Sequence, residues 1–167
     1  GDVKLLWPHV KSHKTLELVS KLINKGVTKF KCATIAECEM AAQAGASAIL
    51  LAYPAVGPNL DRFLNIKSAF PKVHWYALFD SLEYLKLMNQ KAAALNIQVD
   101  YFIDVNVGLN RTGVEACKVL DFVSSCKELS NVNLVGLHCY DGQNGISDVN
   151  ERLKAITKLV DIEKDLV

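Results

Sequence analysis

From Val27 onward this chain alternates short β-rich runs with longer amphipathic ones, separated by Gly, Pro, Asn and Asp. That alternation constrains the fold more than any other feature. A strand that returns parallel to its predecessor needs a crossover long enough to hold a helix, and the helices then cover the sheet. The pattern predicts strands over residues 27–33, 48–53, 73–79, 100–105 and 134–139, with a further short one at 9–11. Helices are expected over 16–25, 35–44, 60–70, 82–94, 114–129 and 149–167, with Gly26, Gly45 and Asn96 as C-terminal stops.

The result is an α/β chain of roughly six β/α units, each about 25 residues long. Two architectures satisfy it, a (β/α)8 TIM-type barrel and a doubly wound open sheet. No G-x-G-x-x-G follows the first strand, and the expectation is a barrel truncated to about six units, since a complete one of about 250 residues needs two more. Residues 1–167 then form one barrel domain, incomplete at its C-terminal end: the chain starts with Gly1 and the last helical pattern runs to Val167.

Composition narrows the partners. Nineteen basic residues against eighteen acidic ones leave a formal charge of +1, so no global field draws the chain to nucleic acid or to an anionic membrane. No run reaches the roughly 20 apolar residues of a membrane span, and no apolar leader opens the chain, which makes the cytoplasm the expected compartment. Cys32, Cys38, Cys117, Cys126 and Cys139 are scattered without a C-x-x-C pair; they read as reduced, half-buried core thiols. A small-molecule site is the expectation.

In a parallel barrel the chemistry sits at the C-terminal ends of the strands. Five such ends are rich in polar or aromatic residues: 8–14, 31–34, 52–54, 104–113 and 136–142. Lys11 lies among His9, His13 and Lys14, cations that disfavour the ammonium form and would attract anionic groups, as an imine-forming lysine requires; the same residues also suit a solvated basic loop. Arg111 stands in a loop with Gly108, Asn110 and Gly113, as a planar donor near closely approaching backbone or as a strand-end cap. His138 and Tyr140 alternate with Leu137 and Cys139, so both face one side of a strand; Tyr140 suits stacking on a ring or a place in the core. Glu37 and Glu39 are assigned to a solvated helix face, and His74 to the stability end of the barrel.

These blocks resemble a known family. Pro8-His9-Val10-Lys11-Ser12-His13-Lys14-Thr15, Phe30-Lys31-Cys32-Ala33-Thr34-Ile35-Ala36-Glu37, Leu50-Leu51-Ala52-Tyr53-Pro54, Ile103 through Gly113, and Gly136-Leu137-His138-Cys139-Tyr140-Asp141-Gly142 are similar, in order, to the fold-type III pyridoxal-phosphate enzymes with an alanine racemase-like barrel, and among them to the D-threonine aldolase and D-serine dehydratase family. The resemblance implies pyridoxal 5'-phosphate on Lys11, not Lys14, as the catalytic residue. Arg111 would approach the cofactor and Tyr140 lie against its pyridine ring, and with His138 they complete the candidate cofactor-binding set. Trp7 stands where the family usually has arginine, and Gln143-Asn144-Gly145 replaces its usual His-containing turn. The implied activity is a lyase on D-3-hydroxy amino acids, by aldol cleavage or dehydration. Alternatives are an amino-acid racemase and a non-catalytic pyridoxal-phosphate homeostasis protein. A divalent metal is implied as well, its ligands on a C-terminal β-domain beyond Val167, with no metal ligand in this chain. The implied partners are a small D-amino acid substrate and a second copy, as a homodimer of the full-length protein.

Overall fold

The computed structural model describes residues 2–164. Its sheet is built from β1 (Lys29–Cys32), β2 (Ala48–Leu51), β3 (His74–Phe79), β4 (Val99–Asn106), a two-residue β5 (Val114–Glu115) and β6 (Val132–Cys139). All pairings are parallel. β1, β2, β3 and β4 are neighbours in sequence order and β6 takes the next place beside β4, while β5 pairs only with Val105 and Asn106, beyond the last β3 partner at Ile103. A doubly wound sheet reverses its order at a switch point. This one never reverses, and it forms an arc of a (β/α)8-type barrel. A single parallel bridge from His9 to Lys31 extends the arc by one position before β1.

Among the described residues six α-helices accompany the strands: α1 (Leu16–Ile23), α2 (Ile35–Gln43), α3 (Asn59–Ala69), α4 (Leu82–Ala94), α5 (Val119–Cys126) and α6 (Val149–Lys164). Successive residues of a strand face opposite sides, and here the two sides differ. Phe30, Cys32, Ile49, Leu51, Trp75, Ala77, Phe79, Tyr101, Ile103 and Val105 are each no more than 3% exposed, with α2 against β1 and β2 and α4 against β3 and β6. Burying each large apolar side chain of that set contributes about 1.5–3 kcal/mol. The alternate residues, among them Lys31, Tyr76, Phe102 and Asp104, face the inside of the arc.

The elements depart from the sequence pattern at four places. Residues 10–12 are a 3-10 turn rather than strand, because His9 Nδ1 accepts from the Lys11 amide at 3.2 Å and bends the chain after its single bridging residue. The expected helix over 114–129 is split into β5, a 3-10 turn at Ala116–Lys118 and the short α5, since Val114 is drawn into pairing with Val105. Glu37 is buried, not solvated: Thr34 caps α2 by accepting from the Glu37 amide at 3.2 Å, and Glu37 Oε2 accepts from the Ala33 amide at 2.7 Å. That is a variant of the capping box, which neutralises exposed N-terminal amides. Cys117 is exposed, whereas Cys32, Cys38 and Cys126 are buried. Residues 165–167 of the last expected helix lie outside the described residues.

Candidate active site

The C-terminal ends of the strands bring the candidate residues together. Pro8 accepts a hydrogen bond from the Lys31 amide at 3.0 Å, which ties the first segment to β1. Val10, fully buried, anchors the turn, and its carbonyl accepts from the amides of His13 and Lys14 at 3.1 and 2.8 Å. Lys14 takes a left-handed backbone conformation at φ +48° and pairs with buried Glu37 at 3.5 Å. Lys11 instead lines a cavity of about 450 Å³ together with Trp7, His9, Lys31, Tyr53, Arg111, His138 and Tyr140. Two lysines three residues apart are thus committed to different surroundings.

Arg111 is held by a self-bonded loop. Asn106 Oδ1 accepts from the amides of Gly108 and Asn110 at 3.0 and 3.1 Å, and its amide nitrogen donates to Asn110 Oδ1 at 2.9 Å. Gly113, at φ +108°, donates its amide to Asp80 Oδ2 at 2.9 Å; a Cβ there would come within 2.6 Å of the Asn106 nitrogen. Only glycine fits that close approach. The guanidinium of Arg111 and the Lys11 Nζ both lie over the Tyr140 ring, 5.2 and 5.5 Å from its centroid, within cation–π range. Gly142 makes room for that ring, since a Cβ would meet it at 2.5 Å. Gln143 links the two loops by donating to the Val107 carbonyl at 2.8 Å.

Beneath this, Lys31 Nζ lies 3.3 Å from His138 Nε2, His138 Nδ1 lies 2.9 Å from Asp104 Oδ1, and Thr112 donates its hydroxyl to Asp104 Oδ2 at 2.7 Å. Asp104 and His138 are register partners on β4 and β6, and their side chains are only 6% and 9% exposed. Lys31, Trp7 and His138 also line a second, adjoining cavity of about 400 Å³ with Leu50 and Phe102. Burial pushes Lys31 below the ordinary lysine value, assisted by the Lys11 charge and opposed by Asp104. Burial also lowers His9, assisted chiefly by Lys11 and opposed by Glu37.

Lys11, Arg111, His138 and Tyr140 therefore share one cavity, and the cations near Lys11 are Lys31 and Arg111 rather than Lys14, which is paired elsewhere. Lys31, Asp104 and Thr112 lie within the polar strand ends at 31–34 and 104–113, but the sequence pattern assigned none of them a role of its own. For Lys31 a signal existed: it alternates with buried Phe30 and Cys32 at a strand end, which puts a charge on the inner face. His74, exposed at the start of β3, lies at the opposite end of the strands. Among the described residues no three His, Cys, Asp or Glu side chains gather as a metal would require, so these residues do not by themselves build the implied divalent-metal site. Among them, too, no helix is long and apolar enough to cross a membrane.

Comparison with known proteins bears on this geometry. Residues 1–165 match the model of the alanine racemase N-terminal domain. A D-threonine aldolase from Arthrobacter sp is 28% identical over 138 residues, which are 82% of this chain and 36% of that protein. Among solved structures, D-threonine aldolase from Filomicrobium marinum superposes with a TM-score of 0.83 at 22% identity, over 93% of this chain and 42% of that one. An alanine racemase-like protein from Idiomarina loihiensis gives 0.77 at 23% identity, over 92% and 40%. The chain thus spans about 36–42% of the length of the two aldolases.

Proposed function

We propose that this chain, which belongs to the alanine racemase N-terminal domain family of fold-type III pyridoxal-phosphate proteins, carries pyridoxal 5'-phosphate on Lys11 and serves a lyase reaction on small D-3-hydroxy amino acids. The observation that carries the reading is the cavity in which Lys11 meets Arg111 and Tyr140. Its size of about 450 Å³ suits a small ligand. Its lining joins amino and guanidinium cations to an aromatic face, a donor set that fits an anionic, planar cofactor.

Each residue has a task. Lys11, whose amine lines the cavity, would hold the group covalently. His9 fixes the turn that presents Lys11. Arg111 supplies a planar positive donor, and Tyr140 a flat surface whose orientation depends on Gly142. Trp7 and Tyr53 wall the cavity. When bound, pyridoxal phosphate supplies an electron sink for the bond broken at the substrate's α or β carbon. Like the cofactor site, a D-amino acid partner, a homodimer of the full-length protein and a metal that would polarise the 3-hydroxyl belong to this proposal.

The test is product analysis with pyridoxal phosphate and D-threonine or D-serine. Glycine plus an aldehyde identifies aldol cleavage; ammonia plus a 2-oxo acid identifies dehydration. Interconversion of alanine enantiomers without either product set overturns the lyase reading in favour of a racemase, and tight cofactor binding without turnover overturns it in favour of a homeostasis protein.

A further inference from the structure

We propose that Lys31 is a second acid–base group of this site, held by the His138–Asp104 pair, which takes a proton from the substrate and returns one to the product; this rests on the reading that Lys11 carries the cofactor. β1 and β6 are not hydrogen-bonded to each other, yet Lys31 Nζ on one reaches His138 Nε2 on the other at 3.3 Å across the inside of the arc. An amine in a half-buried position beside Leu50, Phe102 and Trp7 costs desolvation that an apolar residue of the same length would avoid. Its cavity is also that of Lys11.

The hydrogen bonds fix where protons can move. Asp104 accepts from Thr112 on one oxygen and faces His138 Nδ1 with the other, so Nδ1 carries hydrogen toward the carboxylate and the Nε2 lone pair faces Lys31. In the neutral amine one N–H of Lys31 donates to the Nε2 lone pair of His138, which leaves the Lys31 lone pair free. That lone pair forms a new N–H bond with the substrate hydrogen while the electron pair of the broken bond stays with the substrate. The ammonium so formed is held by His138 Nε2, with the Asp104 carboxylate as its counter-charge. Reversal at the product stage gives the proton back, and no oxidant or reductant is consumed. The charged and titratable groups around Lys31 are His9 and Lys11 from the first segment, Asp104 from β4, Arg111 from the next loop, and His138 and Tyr140 from the end of β6. Burial and Lys11 favour the neutral amine, and Asp104 opposes them.

Two measurements test the proposal. In the cofactor-free full chain, competitive isotopic acetylation with peptide mass spectrometry gives the titration of each lysine. Lys31 should titrate below the ordinary lysine range and fall further in Asp104→Asn, which removes the opposing charge; an ordinary value in the wild type, or no response to Asp104→Asn, overturns the relay. In the cofactor-loaded chain, Lys31→Ala should keep the borohydride-stable label on Lys11, lose product formation by about 10²–10⁴-fold, and recover part of it with added ethylamine. Full turnover in Lys31→Ala with Lys11 still labelled overturns the relay and leaves the cofactor reading standing. Absence of the Lys11 label from wild type and variant alike overturns both.

Discussion

Along β3 and β4 the side chains that face the helices, Trp75, Ala77, Phe79, Tyr101, Ile103 and Val105, are apolar or aromatic and sealed from water. Toward the inside of the arc, at the C-terminal ends, the same sheet carries Asp104, His138 and Lys31 in a bonded chain. The outer face gains free energy from area removed from water. The inner end spends some of it, because buried polar groups cost unless every donor and acceptor is met. Residues that hold the fold and the polar residues of the candidate site are therefore separable here, by face and by strand end.

That separation can be broken by experiment. The largest expected effect is on the outer face: Trp75→Ala removes a buried ring that also donates to the Phe70 carbonyl at 3.1 Å, and should cost about 3–5 kcal/mol in chemical denaturation. A loss below about 1 kcal/mol would mean the outer face does not carry the stability. Next comes Gly113→Ala at the site loop, where φ +108° and a 2.6 Å approach to backbone should cost about 1–3 kcal/mol. It should also weaken cofactor binding through Arg111, and unchanged binding would count against the loop's role.

A third prediction concerns pH. Burial holds Lys31 below the 10.5 of an ordinary lysine, so the folded state loses that proton before the unfolded state does. The cost of burying the ammonium is fully present below the lowered value and is relieved as pH rises from there to 10.5. Lys31→Met should therefore be more stable than the wild type at neutral pH, with the gap closing toward pH 10.5. A gap that stays constant with pH would contradict the inner-face account. The smallest effect is expected from His74→Ala, exposed at the far end of β3: within about 0.5 kcal/mol and with no change in cofactor binding.

How much of this was legible in the sequence follows from the same two faces. The alternation of β4, the apolar run of β3 and the amphipathic run of α1 located those elements, because the sequence period matches the structure there. The barrel winding followed from the missing dinucleotide fingerprint and is borne out by the unreversed strand order. Residues 10–12 and 114–118 were misread because side-chain capping by His9 and pairing by Val114 act against the local pattern. Glu37 looked solvated among alanines, although Thr34-Ile35-Ala36-Glu37 carries the T-x-x-E spacing of a capping box. Lys11, Arg111, His138 and Tyr140 were nameable as strand-end residues. The Lys31–His138–Asp104 chain was not, since it joins residues 107 and 34 positions apart, and no short-range pattern registers such contacts.

On the proposed reading Lys11 carries the cofactor, while Lys14 and Lys31 do not. Reductive trapping tests it most directly: incubate the chain with pyridoxal phosphate, reduce with borohydride and map the labelled peptide by mass spectrometry, with Lys11→Ala alongside. The account predicts label confined to Lys11 and lost in Lys11→Ala. Label on Lys31 or Lys14, or label scattered over surface lysines and unchanged in the variant, would contradict it.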